Sequence, residues 1–171
     1  MKKLINTLQY IISTQGSTGK AWQLYRREFI QNGKDGVQSL WHKHRGELNF
    51  KRWKYENNKS ITIIATPHTI FIAELLSQAL DKAGLLYQVK IGTDFKSFDD
   101  SFHILVCPQA FKKLPESYIS FQMEQTVSDR WFGQENMQKL KKSLLVMDYS
   151  LNNISYLNQH FPLSHIYYTP I

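Results

Sequence analysis

The residues best suited to chemistry stand where apolar runs end. Ile61-Thr62-Ile63-Ile64-Ala65 is a short β-branched run, closed by Thr66-Pro67-His68-Thr69. His68 has two readings: a general base or substrate hydrogen-bonder, or a polar turn residue that caps the following helix. Gln122-Met123-Glu124-Gln125 ends the run that begins at Tyr118, and Asp148-Tyr149-Ser150 ends the run Leu144 to Met147. Glu124 and Gln125 either face the same crevice as His68 or mark a strand leaving the core. Asp148 and Tyr149 read the same two ways, and Ser150 or Asn152 suits the cap of a following helix. In open α/β sheets, ligands bind beyond the carboxyl ends of the strands, so three polar clusters there define a candidate site.

The elements that must position these groups follow from spacing. Ile61 to Ala65 reads as a strand buried on both faces. Pro67 has no amide hydrogen for a sheet and ends it. Ile72, Leu75, Leu76, Ala79, Leu80 and Ala83 then lie on one helical face, and Gly84 suits the C-terminal cap. Strand, turn and amphipathic helix make the first half of a right-handed βαβ unit. Further strands are predicted at Tyr87 to Ile91, Phe102 to Cys107, Tyr118 to Met123, Leu144 to Met147 and His165 to Tyr168. Helices are predicted at Asp129 to Lys142 and Leu151 to His160. Asp94 to Ser101 reads as a turn. This alternation predicts a Rossmann-like α/β fold: a mostly parallel sheet of about six strands with helices on both faces.

Residues 1–59 form a separate leader. Leu4, Ile5, Leu8, Ile11 and Ile12 make a helical stripe. A second helix is predicted from Lys20 to Asn32, ended by Gly33, and a short third one through Val37, Leu40 and Trp41 ends near Gly46. A basic, aromatic connector, Lys51-Arg52-Trp53-Lys54-Tyr55, leads to the polar gap Glu56-Asn57-Asn58-Lys59. The domain boundary falls there, with the α/β domain occupying residues 60–171. Of the net charge of +7, residues 1–60 hold 12 Lys+Arg against 4 Asp+Glu (+8), and residues 61–171 hold 9 against 10 (−1). A basic head on a nearly neutral body suits an anionic surface. With Trp22 and Trp41 on amphipathic helices and Trp53 in the basic connector, the expected surface is an anionic membrane. The same residues also suit the solvated face of an ordinary helical hairpin. No nucleic-acid motif is visible, so DNA or RNA is not the expected partner.

Several chemistries find little support. Gly16-Ser17-Thr18-Gly19-Lys20 lacks the spacing of a phosphate loop, and Ala21 stands where that loop needs Ser or Thr. No G-x-G-x-x-G follows the first strand, so no dinucleotide cofactor is expected. The acidic residues of a phosphoacceptor receiver are replaced by Thr66-Pro67-His68 and Pro108-Gln109. His42 and His44 have no carboxylate or thiol cluster nearby, which argues against a metal site. Cys107, the one cysteine, lies in a buried-looking strand and reads as an inert core thiol. No run is apolar for long enough to span a membrane. Met1-Lys2-Lys3 precedes a segment soon interrupted by polar residues, unlike a secretory signal.

Two stretches carry a family resemblance. One is Ala21-Trp22-Gln23-Leu24-Tyr25-Arg26-Arg27-Glu28-Phe29 with Gly33 and Gly36-Val37-Gln38-Ser39-Leu40-Trp41. The other is Ile119-Ser120-Phe121-Gln122-Met123-Glu124-Gln125, then Val146-Met147-Asp148-Tyr149-Ser150, Asn153-Ile154 and Tyr167-Tyr168-Thr169-Pro170-Ile171. Together they resemble the N-terminal, acceptor-side half of bacterial GT-B fold glycosyltransferases of the cell-surface polysaccharide type. The resemblance implies a glycan or lipid-linked acceptor at the cytoplasmic membrane face, with the protein cytoplasmic or peripheral there. It implies a base for the acceptor hydroxyl, with His68 the first candidate and Glu124 the second. Thr66, Gln125, Asp148, Tyr149 and Ser150 would then bind the acceptor. The chain stops at Ile171, where the resemblance implies a further donor-binding domain or subunit. The expectation is therefore a folded chain inactive by itself. The competing reading is a non-enzymatic α/β binding module docked through its basic head.

Overall fold

The computed structural model describes residues 2–55, 60–99, 101–124, 131–161, 163 and 165–171. Two helices, α1 (Lys2–Gln15) and α2 (Thr18–Tyr55), precede an α/β body. The body runs β1 (Ile61–Ala65), α3 (Ile70–Lys82), β2 (Tyr87–Ile91), β3 (Phe102–Val106), β4 (Tyr118–Gln122), α4 (Gln134–Lys142), β5 (Val146–Asp148), α5 (Leu151–His160) and β6 (Ile166–Tyr168). The six strands form one sheet in the order β2-β1-β3-β4-β5-β6, every pair parallel. This is the Rossmann-like α/β architecture that the alternation of strands and helices predicts.

Register separates the two faces. Phe121 pairs with Met147, and Ser120 with Val146. Adjacent strand residues point to opposite faces, so Phe121 and Val146 serve different layers. Phe121 joins Ile63, Ala65 and Val106 beneath α3, which contributes Ile72 and Ala73. Val146 packs with Met137 and Leu140 of α4 and Leu157 of α5 on the other face. Ile64, Leu105, Phe111 and Tyr118 form a third cluster there, covered by Phe95 and Phe98 of the helix-free β2–β3 connection. Ile72 is 1% exposed, and burying such a side chain stabilises by about 1.5–3 kcal/mol. The end of α3 is a Schellman cap: Gly84 (φ +67) donates to the Asp81 carbonyl, and Leu85 donates to that of Leu80.

The head differs from expectation at its C-terminal end. α2 does not end at Gly46 but continues to Tyr55, so the supposed connector 51–55 is helical. Gly46 is buried in mid-helix, where its missing side chain leaves room for Leu144. The break falls at Gly33, as the sequence predicts, at φ 63 and ψ −151, a conformation open essentially to glycine alone. It folds α2 back on itself. Tyr25 and His44 would lie about 28 Å apart on a straight helix, yet Tyr25 Oη and His44 Nδ1 are 3.0 Å apart. Gly36 permits the close approach, since a Cβ there would sit 2.9 Å from the Glu28 carbonyl oxygen. The predicted boundary at 56–59 lies outside the described residues.

The second arm of α2, residues 34–55, lies across the amino ends of the strands. Gly46 meets Leu144 just before β5. Arg45 pairs with Glu116, and Asn49 donates to Ser117 Oγ (2.8 Å) just before β4. Trp53 stacks on Phe102 at the start of β3 (ring centroids 5.6 Å apart), and Phe50 packs against the same ring at a tilt (5.3 Å). The head therefore covers the amino rim of β3–β5 and leaves the carboxyl rim to the body's own loops.

Candidate functional site at the carboxyl rim

Because all strands are parallel, the groups that follow β1, β4 and β5 share one rim. The chain leaves β1 for β2 on one side and returns to β3 on the other. The switch point thus lies between the carboxyl ends of β1 and β3, where open α/β sheets form their crevice. Thr66 to Thr69 forms one wall and Cys107 to Ala110 the other.

On the first wall, Pro67–Thr69 makes a single 3-10 turn. Thr66 is buried, and its hydroxyl lies 3.1 Å from that of Thr69, which also accepts from the Thr66 amide (3.1 Å). These threonines organise the entry to α3. His68 is exposed, and its side chain forms no hydrogen bond or ion pair with another described residue, so it caps nothing. On the second wall, Cys107 adopts a left-handed conformation (φ 55) that turns the chain sharply out of β3 and brings Gln109 in towards β4. The Cys107 thiol is buried, and its pKa is pushed up to about 12 by burial and then by the Glu124 charge. That makes it a packing group, not a nucleophile.

A buried polar chain then crosses β3, β4 and β5. The Glu124 amide can only donate, and it donates to Gln122 Oε1 (2.7 Å). This fixes the Gln122 amide: its Nε2 faces the Glu124 carbonyl and Asp148. Gln109 must then present its own Nε2 to Gln122 Oε1 (3.1 Å), which leaves Gln109 Oε1 buried without a hydrogen bond. Asp148, 0% exposed, accepts from the Ser150 amide (2.8 Å) and from Asn153 Nδ2 (3.2 Å). Asn153 Nδ2 also reaches the Glu124 carbonyl (2.9 Å). Burial pushes the Asp148 pKa up to about 6, against the opposing hydrogen bonds from Ser150, Asn153 and Gln122.

The predicted residues are therefore brought to one rim but not to one point. Strands lie about 4.8 Å apart, so β1 and β4 are about 10 Å apart and β1 and β5 about 14 Å. Glu124 and Asp148 share the polar chain, while His68 stands across the switch point from it. Ser150 caps α5, its Oγ accepting from the Asn153 amide (3.3 Å). Tyr149 is half-buried beside it. Gln125 lies outside the described residues. The sequence reading named Gln122 within its second cluster but gave no role to Gln109, Gln122 or Asn153. Gln109 carried a signal, since it follows the proline that closes β3 at the switch point.

The opposite rim holds a polar cavity of about 150 Å³ between α2 and the starts of β3 and β4, lined by Arg45, Asn49, Arg52, Asp99, Ser101 and His103 among others. Ser101, His103 and Asp99 suggest a hydrolytic triad, but their geometry excludes one. Ser101 Oγ (3.4 Å) and Asp99 Oδ1 (3.3 Å) crowd the same nitrogen, His103 Nε2, whereas a triad needs them on opposite nitrogens. The Ser101 hydroxyl also bonds Asp99 directly. Burial would raise the Asp99 pKa, but hydrogen bonds from Lys90 and Ser101 outweigh it and hold the carboxyl below the usual range. Lys90, Gln88 and Thr62 complete a network that ties β1, β2 and β3 together. Among the described residues, no group of three or more His, Cys, Asp or Glu could hold a metal, and no helix is long and apolar enough to cross a membrane. Compared with protein-family models, curated proteins and solved structures, the chain matches none.

Proposed function

We propose that this chain is the acceptor-side domain of a glycosyltransferase and that it binds a hydroxyl-rich acceptor, a glycan or lipid-linked sugar, at the carboxyl rim. The observation that carries the reading is Gln109 Oε1, a buried acceptor with no hydrogen bond at the switch point. A buried unpaired acceptor is costly, and a sugar hydroxyl is a donor of the right chemistry. In the complete enzyme, His68 accepts the proton of the attacking hydroxyl, with Glu124 as the alternative base. Among the described residues, no glycine-rich phosphate loop follows a strand. In this reading the diphosphate of a nucleotide sugar is held by a second α/β unit.

The test is a two-dimensional NMR titration of the chain with a panel of glycans and, separately, of nucleotide sugars. Saturable shifts at Thr66–Thr69, Cys107–Ala110 and Glu124 are expected with glycans, weakened in His68→Ala and Gln109→Leu. Nucleotide sugars are expected to produce no shifts. Glycan binding that maps to the amino rim, or no binding across the panel, refutes the proposal. So does sugar transfer by the chain alone. Binding at this rim to an apolar ligand in place of glycans would favour the non-enzymatic binding module.

A further inference from the structure

We infer that the outer surface of the helical head is an interfacial anchor for an anionic lipid bilayer. The inference stands on a different surface from the carboxyl-rim site and does not depend on it. α1 carries Leu4, Ile5, Leu8 and Ile12 at helical spacing, and all four are exposed, at 51, 48, 44 and 36%. Of the apolar stripe only Ile11 is buried within the fold. The first arm of α2 repeats the pattern with Trp22 (70% exposed), Phe29 (54%) and Ile30 (71%). Residues 22, 26, 29 and 30 share one helical face, so Arg26 stands among these apolar groups.

The charges are one-sided. α1 contains no acidic residue. Lys2, Lys20, Arg26, Arg27 and Lys34 are all exposed. In the first arm of α2, the sole carboxylate is Glu28, which accepts from Asn32 Nδ2. Exposed Leu, Ile, Trp and Phe interleaved with Lys and Arg fit the interfacial zone of a bilayer, where acyl chains take the apolar side chains and anionic head groups take the cations. Nucleic acid would use the cations but leave the aliphatic side chains in water. A protein groove would bury the aliphatics without requiring this sign of charge. The structure also revises which tryptophans serve. Trp53 stacks on Phe102 and Trp41 is half-buried, which leaves Trp22 as the outward indole among these three.

The test is co-sedimentation of the full chain with vesicles of phosphatidylcholine alone and of phosphatidylcholine mixed with phosphatidylglycerol, at low and high salt. The expected result is preferential binding to the mixed vesicles, weakened by salt. Leu8→Gln with Ile12→Gln should lower partitioning roughly tenfold or more on mixed vesicles. Arg26→Gln with Arg27→Gln should remove much of the preference for anionic lipid. Because all four positions are exposed, these variants retain the fold, which circular dichroism checks. Brominated acyl chains should quench tryptophan fluorescence, and the quenching should be largely lost in Trp22→Phe. Equal binding to both vesicle types, unchanged binding of the Leu8/Ile12 variant, or quenching unaffected by Trp22→Phe overturns the inference. Salt-sensitive binding to single-stranded RNA in the absence of vesicle binding overturns it as well.

Discussion

Asp148 offers the sharpest test of the polar chain at the carboxyl rim. Its carboxyl is fully buried, with a pKa raised from 3.8 to about 6. Between those values the folded protein binds a proton that the unfolded chain has released. Stability therefore falls as pH rises through this window, and the full contribution is present only below the unfolded value. The displacement of about two units, at 1.36 kcal/mol each, amounts to about 3 kcal/mol. Asp148→Asn preserves the shape and removes the titration. The informative quantity is the stability difference between wild type and variant, measured by urea unfolding across a pH series. Asp99, whose pKa is shifted the other way, contributes equally to both proteins and cancels. The variant should gain on the wild type by about 3 kcal/mol between about pH 3.5 and pH 6.5. Its absolute offset includes the cost of turning an amide towards Asn153 Nδ2 and Gln122, so the offset is not diagnostic; the slope is. A difference that stays flat across the series would refute the burial-raised pKa of Asp148.

Two further expectations concern backbone geometry and capping. Gly33→Ala should cost about 1–3 kcal/mol, because φ 63 with ψ −151 is strained for any residue with a Cβ; urea unfolding indistinguishable from wild type would mean that the arms of α2 do not fold back there. Ser150→Ala should cost about 1 kcal/mol through loss of the α5 cap, read as a lowered urea midpoint, and an unchanged midpoint would return Ser150 to the list of groups free for a ligand.

Much of the body was legible because its signals are local. β-branched runs ended by Pro67 and Pro108 locate β1 and β3, and Gly84 closes α3 by its left-handed conformation. The head was less legible because glycine carries two meanings. Gly33 breaks a helix as expected, while Gly46 looks like the same signal but is kept for contact with Leu144, a residue almost a hundred positions away. The stripe on α1 was read correctly as helical, but periodicity does not say whether an apolar face turns inward, and here most of it faces outward. At the rim, single clusters were visible and their connection was not. The Gln109–Gln122–Asp148–Asn153 chain depends on the register of β4 and β5, which pairs Gln122 with Asp148. It depends equally on the left-handed turn at Cys107, which nothing in the sequence announces.

The path of α2 across the amino rim has a mechanical consequence. Its second arm engages Phe102, Ser117, Glu116 and Leu144 in turn, so it acts as a tie-bar over three strands. A pull on the head is then shared between β3, β4 and β5 instead of peeling β1 away through the covalent link alone. Cutting the chain between Tyr55 and Ser60 would sever the peptide without unfastening the bar, and the two pieces should still migrate as one particle.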